Sequence, residues 1–145
     1  MSLIDSLKTL LGSAVAYKIK TQFFHWNIEG PDFVQYHNFL NDLYTSIEED
    51  IDTIAEHIRT LNVYAPGSLK RFSELSVIKD QEDIPPAIGI FSMLKADTAT
   101  YIGLLYDCHE QAEAEKKFGI INFLESLIDK YEKTQWMLNS INKNK

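Results

Sequence analysis

The chain has 145 residues, 45% hydrophobic and 24% charged, which is typical of a soluble globular protein long enough to bury a core. Its formal net charge of −7 argues against a nucleic-acid partner, because phosphate binding needs a basic surface. The lone cysteine, Cys108, excludes an internal disulfide and agrees with a reducing compartment. We find no signal peptide and no apolar run of the ~18 residues that a membrane span needs. We therefore expect a cytoplasmic protein with a single domain, residues 1–145.

The sequence pattern of the first half of the chain predicts two long helices. Apolar residues recur every three or four positions from Ser2 to about Glu29, which predicts an amphipathic helix. Gly30-Pro31 ends it, because proline disfavours helical geometry in the residue before it. Asp32 is expected to cap a second helix that lasts to Leu61 or Asn62. The apolar stripe of this helix is the clearest in the sequence: Leu40, Leu43, Tyr44, Ile47, Ile51, Ile54, Ile58 and Leu61.

The segment between Asn62 and Pro86 is a connection, because prolines and a glycine interrupt it. It contains a predicted short helix, Leu69–Leu75, with Ser68 as its cap. A link of about 20 residues is too long to join adjacent antiparallel helices, so we expect it to cross the bundle.

Two more amphipathic helices complete the chain. The third is expected to begin near residues 84–87, with Asp83 as its cap and Pro85-Pro86 in its first turn. The last is predicted from about Gly119 to Ile141, followed by a frayed NKNK end. The fold class is therefore all-α: a four-helix bundle whose long crossover between helices 2 and 3 contains a short helix.

A polar stripe lies beside the apolar stripe of the second helix. Its members are His37, Asn41, Glu48, Asp52 and Glu56, spaced by four, seven, four and four residues. Imidazole and carboxylate together suit iron or zinc, whereas oxygen ligands alone would suggest calcium or magnesium. Asp52 and Glu56 can share a metal ion, and the Gly-Pro turn allows His25 to meet His37.

Helix geometry keeps the two ligand pairs apart. Fifteen residues separate His37 from Asp52, which is ~22 Å along a straight helix, whereas metal–ligand bonds are only ~2 Å. One subunit therefore cannot bring both pairs to one ion. Two copies of this helix packed antiparallel about a twofold axis would do so, and would create two equivalent intersubunit sites.

Simpler interpretations of these residues stay open from spacing alone. A single histidine is more often a hydrogen-bonded interior or interface residue than a ligand, and a carboxylate stripe is usually a solvated face. A di-iron site inside the bundle is disfavoured, because such sites use Glu-x-x-His pairs and the sequence contains none.

One long motif resembles a known family. His25-Trp26-Asn27-x-x-Gly30-Pro31-x-Phe33-x-x-x-His37, followed by Asp52-x-Ile54-Ala55-Glu56-x-Ile58, resembles the signature of the Dps mini-ferritins, and the likeness extends to Trp136-Met137-Leu138. The resemblance implies a ferritin-like fold and a dodecameric shell with ferroxidase centres at its dimer interfaces. There Fe(II) is oxidised, preferentially by hydrogen peroxide, and stored as a ferric mineral.

Carried over by residue, the resemblance implies that His25 and His37 are iron ligands from one subunit. Asp52 and Glu56 would be the ligands from its twofold mate. Asn41 departs from the family pattern, which usually has Asp or Glu there. Its amide offers a neutral oxygen without charge, so the sequence predicts weaker binding of a second iron.

Several other residues invite a functional interpretation. Trp26 is expected to pack beside the centre, where it would quench oxidising equivalents, and Trp136 is expected at a subunit contact. For His57 and His109 we identify no acidic partner at helical spacing, so we expect them to be structural or exposed. Cys108 is interpreted as a small core or interface residue.

The leading function is thus iron oxidation and storage that protects against oxidative damage. A DNA-compacting protein is the first alternative, because some relatives bind DNA through a mobile lysine-rich tail. Direct DNA binding is disfavoured here, since the C-terminus offers only Lys143 and Lys145. A shell protein with impaired ferroxidase activity is the second alternative, for which Asn41 is the only indication.

Overall fold

The computed structural model describes residues 1–143, and that part of the chain contains five α-helices and no strand. The helices are α1 (Leu3–Asn27), α2 (Phe33–Thr60), α3 (Leu69–Leu75), α4 (Ala87–Ala114) and α5 (Phe118–Ile141). The predicted all-α fold, with four long helices and a short helix in the crossover, is confirmed. Asn142 and Lys143 form a turn after α5, and the rest of the predicted frayed end lies outside the described residues.

The turn between α1 and α2 is tight because Gly30 takes up a backbone geometry that other residues rarely adopt, with φ at 128°. Asp32 occupies the cap position of α2, but its side chain makes no capping hydrogen bond, so the predicted cap is wrong. Its backbone angles, φ −101° and ψ 23°, are not the extended ones that aim a side chain at the first-turn amides. The start of α2 is held instead by the Phe33 N–H, which donates to the Gly30 carbonyl at 3.1 Å.

The crossover begins at Asn62, whose φ of 64° ends α2 in the left-handed conformation common after helices. The predicted cap of α3 is confirmed, because Ser68 Oγ accepts from the Arg71 N–H at 3.1 Å. The end of α3 then packs closely on α1 at Gly12. A Cβ atom there would lie 2.8 Å from the Leu75 Cβ, so a larger residue would force the short helix away.

The start of α4 differs in detail from the prediction. Asp83 does not cap the helix; Pro86 occupies the cap position, and neither proline lies in the first turn. The reason is steric, since Pro86 disfavours helical geometry at Pro85. The carbonyl of Pro86 accepts from the Gly89 and Ile90 N–H groups at 2.8 and 3.0 Å. The helix therefore begins at Ala87, at the end of the predicted range.

The helices pack as two hairpins, α1 with α2 and α4 with α5, and α1 also contacts α3 and α4. The core between them is lined mainly by leucine and isoleucine. One ion pair is buried within it: the Lys20 Nζ lies 2.9 Å from the Asp97 Oδ2 and also donates to the Lys79 carbonyl at 3.1 Å. Lys20 therefore ties α1 both to α4 and to the crossover.

No helix in the described part of the chain is long and apolar enough to cross a bilayer.

Replacing Lys20 with methionine is expected to destabilise the fold by about 1–3 kcal/mol at neutral pH, because it leaves the partly buried Asp97 carboxylate without its partner. Burial already raises the pKa of Asp97, against the opposing effect of Lys20. A raised folded-state pKa means that the folded protein binds the proton more tightly than the unfolded chain does. The stability that comes from protonation of Asp97 is present at pH values below the pKa of the unfolded chain. It is lost as the pH rises through the pKa of the folded protein.

Chemical denaturation of Lys20→Met across the acidic range measures this effect, and the loss of stability should shrink as the pH falls. The control is Lys18→Met on the same helix, whose 3.7 Å pair with Glu48 is largely exposed. We expect that change to cost less than about 1 kcal/mol at any pH. A Lys20→Met penalty that is independent of pH would contradict the assignment to Asp97.

Candidate metal centre

His25 and His37 meet across the α1–α2 turn, as predicted. Their rings stack with centroids 3.9 Å apart and an angle of 16° between the planes. Two hydrogen bonds fix the pair reciprocally. The His25 Nδ1 lies 2.7 Å from the His37 carbonyl oxygen, and the His37 Nδ1 lies 2.8 Å from the His25 carbonyl oxygen. Each ring is therefore oriented by the backbone of the other helix.

These hydrogen bonds decide which ring nitrogen is available to a metal. A carbonyl oxygen can only accept, so each Nδ1 must carry the proton and donate it. In the neutral imidazole the lone pair then lies on Nε2, which is the atom that a metal ion would bind. A second hydrogen bond that fixes the tautomer in this way is the usual support of a metal-bound histidine.

Aromatic rings flank the histidine pair on both sides. Phe33 stacks on His37 with centroids 4.9 Å apart, and Tyr44 lies against His25 at 5.3 Å. His25 is buried, whereas Trp26, the next residue, is 64% exposed in the single chain. The predicted role of Trp26 beside the centre stays a prediction.

The predicted carboxylate ligands lie farther along α2. Asp52 and Glu56 are both exposed, and neither makes a hydrogen bond or an ion pair with the described chain. Asn41 is partly buried, one turn beyond His37. Within residues 1–143 of one subunit, no three His, Cys, Asp or Glu side chains are grouped closely enough to hold a metal ion. The structure therefore brings the two histidines together, but not the histidines and the carboxylates.

The centre of the bundle is occupied by three tyrosines, Tyr17, Tyr101 and Tyr131, which are all fully buried. Beside them lies Asp50, which is 8% exposed. Asp50 accepts a hydrogen bond from the Tyr131 hydroxyl at 2.7 Å and pairs with Lys130 at 2.8 Å. These residues do not form the carboxylate and histidine set of an in-bundle di-iron site.

Sequence reasoning missed Asp50, although the sequence contained a signal for it. Asp50 lies between Ile47 and Ile54 with spacings of three and four, so it interrupts the buried stripe of α2. A charge at such a position needs a partner, because an isolated buried carboxylate is very costly. Lys130, eighty residues away in the sequence, provides it.

The expectation that His109 has no acidic partner was wrong, because acidic partners hold both of its ring nitrogens. The Nδ1 lies 3.3 Å from the Glu113 carboxylate one turn later on α4, and the Nε2 lies 2.8 Å from Glu125 on α5. The Glu113 contact was available from the spacing of four, whereas the Glu125 contact depends on how α4 and α5 pack. His57 packs against Phe123 at 4.9 Å, and burial lowers its pKa.

Two other predictions have different outcomes. Cys108 is completely buried in the core, as expected, and burial raises the pKa of its thiol to about 12. It is therefore a protonated packing residue and not a nucleophile. Trp136 is 67% exposed in the single chain, and its predicted subunit contact stays a prediction.

Comparison with known proteins agrees with this architecture. A family model of the ferritin-like domain matches residues 4–144. An uncharacterized low temperature-induced protein from Nostoc sp. is 33% identical over 139 residues, which are 94% of this chain and 78% of that protein. A DNA protection during starvation protein from Brevibacillus brevis is 27% identical over 126 residues, covering 87% of this chain and 85% of that one.

Solved structures give the same result. The crystal structure of a Dps protein from Vibrio cholerae, described as one of the ferritin-like diiron-carboxylate proteins, superposes with a TM-score of 0.93 at 27% identity. The match covers 97% of this chain and 89% of that one. The Dps structure from Bacillus brevis matches with a TM-score of 0.92 at 25% identity, over 96% and 93% of the two chains. This chain therefore belongs to the ferritin-like family and, within it, to the Dps mini-ferritins.

Removal of the buried carboxylate tests the polar network at the bundle centre. Asp50→Ala should destabilise the protein by about 3 kcal/mol, since it leaves the Lys130 ammonium and the Tyr131 hydroxyl without their shared acceptor. Tyr131→Phe removes only one hydrogen bond and should cost about 1 kcal/mol. Urea unfolding measures both changes, and equal costs for the two variants would show that Asp50 is not the centre of the network.

Proposed function

We propose that this protein is a ferroxidase and iron-storage protein whose centres lie between subunits. At the level of the family, ferritin-like proteins oxidise and store iron. The observation that carries the proposal for this chain is the reciprocal His25–His37 pair, which directs two imidazole Nε2 atoms away from their backbone anchors. These nitrogens would bind Fe(II), and Asp52 and Glu56 of the twofold mate would complete the set.

The exposure of the carboxylates supports the intersubunit arrangement. Asp52 and Glu56 lie one turn apart on the same face of α2, with no partner in their own described chain. An antiparallel pair of α2 helices about a twofold axis would place them opposite the partner's histidines, giving two sites per dimer. We infer that six such dimers form the dodecamer that the family resemblance implies.

The chemistry of the proposed centre uses Fe(II) as the substrate. Two Fe(II) ions give one electron each to hydrogen peroxide, whose O–O bond breaks, and the oxygen atoms leave as water or hydroxide. The chain's own part is to hold the ions close together with neutral imidazoles and anionic carboxylates. The negative charge of the carboxylates would favour the more highly charged ferric state. The net charge of −7 would draw cations to each subunit, and the ferric product would be stored in the cavity of the shell.

This chemistry would protect DNA without contact with it. Consuming Fe(II) and peroxide together removes both reagents of hydroxyl-radical formation. Some relatives are named for DNA protection during starvation, and removal of these reagents would be sufficient for such a role here.

Mixing two inactive variants tests whether each site is shared between subunits. His37→Ala and Asp52→Ala should each abolish rapid ferric absorbance after Fe(II) and peroxide are added. A dimer of one subunit of each kind would contain one intact site and one site with both changes. Random mixing gives half of the dimers this composition, so we expect about a quarter of the wild-type activity to return.

The matched control mixes His37→Ala with His25→Ala. Both changes affect the half-site that one subunit supplies, so no combination of these two chains would contain an intact site. Recovery in the first mixture alone supports the shared centre. Recovery in neither mixture, with both pairs confirmed to co-assemble, would contradict it.

Asn41→Asp tests whether the uncharged amide of Asn41 weakens iron binding at the proposed centre. A carboxylate there would add a negative charge close to the metal ions. We expect Fe(II) to bind about tenfold more tightly, which corresponds to ~1.4 kcal/mol. Anaerobic titration calorimetry measures this, with Asn139→Asp on the exposed face of α5 as the control for net charge. An equal gain in both variants would show that Asn41 does not face the iron.

A further inference from the structure

Two aromatic residues of α2 continue the stack of the histidine pair. Phe33 contacts the His37 ring with centroids 4.9 Å apart and 24° between the planes, and Tyr44 contacts the His25 ring at 5.3 Å and 44°. The two imidazoles themselves lie 3.9 Å apart. The four rings therefore follow one another in the order Phe33, His37, His25, Tyr44, and we call them the aromatic column.

The spacing along α2 explains how the aromatic column forms. Phe33, His37 and Tyr44 are separated by four and seven residues, so their side chains lie on one face of the helix. His37 and Tyr44 are ~10.5 Å apart along the helix axis. The α1–α2 turn brings the His25 ring into the gap between them, where it contacts both rings. The column is thus shared by two helices, and neither helix could form it alone.

A cation of α1 contacts the column at its Tyr44 end. The Lys18 Nζ lies 6.0 Å from the centroid of the Tyr44 ring and 3.7 Å from the Glu48 carboxylate, one turn farther along α2. An ammonium group over an aromatic face is attracted to the ring. Lys18 and His25 are seven residues apart on α1, so both reach the Tyr44 ring from the same face of that helix. Two contacts with α1 therefore hold this ring.

The hydrogen bonds of the histidines do not by themselves fix the planes of their rings. A bond from Nδ1 to a carbonyl oxygen sets the position of one atom, but the ring can still swing about that bond. Because His37 is only partly buried, water can also compete for its partner. Contact with a neighbouring ring restricts the plane, since aromatic pairs prefer a few defined arrangements. Phe33 supplies this contact to His37, and Tyr44 supplies it to His25.

We propose that Phe33 and Tyr44 are positioning residues, which hold the imidazoles of His37 and His25 in the orientation that binds metal before an ion arrives. The proposal rests on the proposed function, in which the Nε2 atoms bind Fe(II). Each outer ring acts through the histidine that it contacts. A side chain that is already ordered loses less freedom when the ion binds, so binding is tighter. Removal of either outer ring should therefore weaken Fe(II) binding and leave the rate at saturation unchanged.

The first measurement uses the whole, metal-free protein, so that it does not depend on iron chemistry. Hydrogen–deuterium exchange at the imidazole Cε1 carbon, read by mass spectrometry, reports on each histidine separately. We expect Phe33→Leu to speed exchange at His37 and Tyr44→Leu to speed it at His25, each several-fold, because the released ring moves and meets water. His109 on α4 is the internal reference. Unchanged exchange at both histidines of the folded variants would overturn the proposal.

Two control variants separate positioning from packing in general. Tyr44→Phe keeps the ring and removes only the hydroxyl, so its histidines should exchange as in the wild type. Phe39→Leu makes the same change as Phe33→Leu on the same helix, but Phe39 packs against Phe91 of α4, outside the aromatic column. It should leave both histidines unchanged. Faster exchange in both controls, equal to that of the test variants, would show that the ring contacts are not the cause, and the proposal would be wrong.

Iron binding is then measured by anaerobic calorimetry with Fe(II), followed by the rate of oxidation after peroxide is added. We expect Phe33→Leu and Tyr44→Leu each to weaken Fe(II) binding about tenfold, with the rate at saturating Fe(II) unchanged. A lower saturated rate at unchanged affinity would overturn the proposal. Failure of the wild type to bind Fe(II) would instead contradict the proposed function, and the exchange measurements would still decide whether the column orients the histidines.

Discussion

The reciprocal hydrogen bonds between His25 and His37 depend on one tight turn. Gly30 allows α1 and α2 to fold back on each other within a few residues, and each histidine then finds the other's carbonyl oxygen. The same two bonds join the helices, stack the rings and set the tautomer of both imidazoles. A structural contact between two helices therefore already orients the two imidazole nitrogens that the proposed centre would use, at no additional cost in ordering the side chains.

The rise of α2 imposes the second constraint. A straight helix of 28 residues holds its two ends far apart, so the histidine pair at its start and the carboxylates in its last third cannot face one ion. In the proposed centre, the same helix would therefore contribute to two different sites, with His37 in one and Asp52 and Glu56 in the other. Asp52 and Glu56 remain exposed and without partners in the single chain, and in the proposed dimer they would face the partner's histidines. Chemistry and assembly are then coupled, because a subunit alone would hold iron weakly.

In the described chain, the bundle interior holds no cluster of metal-binding side chains. Three tyrosines fill the space, and the Asp50–Lys130 pair ties α2 to α5 across it. The Lys20–Asp97 pair ties α1 to α4 in the same way. Buried polar groups of this kind contribute little net stability compared with apolar packing, but they penalise every arrangement of the helices in which they are unpaired. They thereby help to fix the register of the bundle around the tyrosine cluster.

The sequence by itself determined the helices, their order and the long crossover, because apolar periodicity and helix-breaking glycine and proline residues act locally. It also determined that His25 could meet His37, since only a short turn separates them. Sequence reasoning failed where backbone detail decided, as at the Asp32 cap. It also failed where partners were distant: Tyr131 and Lys130 reach Asp50 only after α2 and α5 have packed. Tertiary structure alone decided these contacts, because a hydrogen bond between residues eighty positions apart leaves no periodic trace in the sequence.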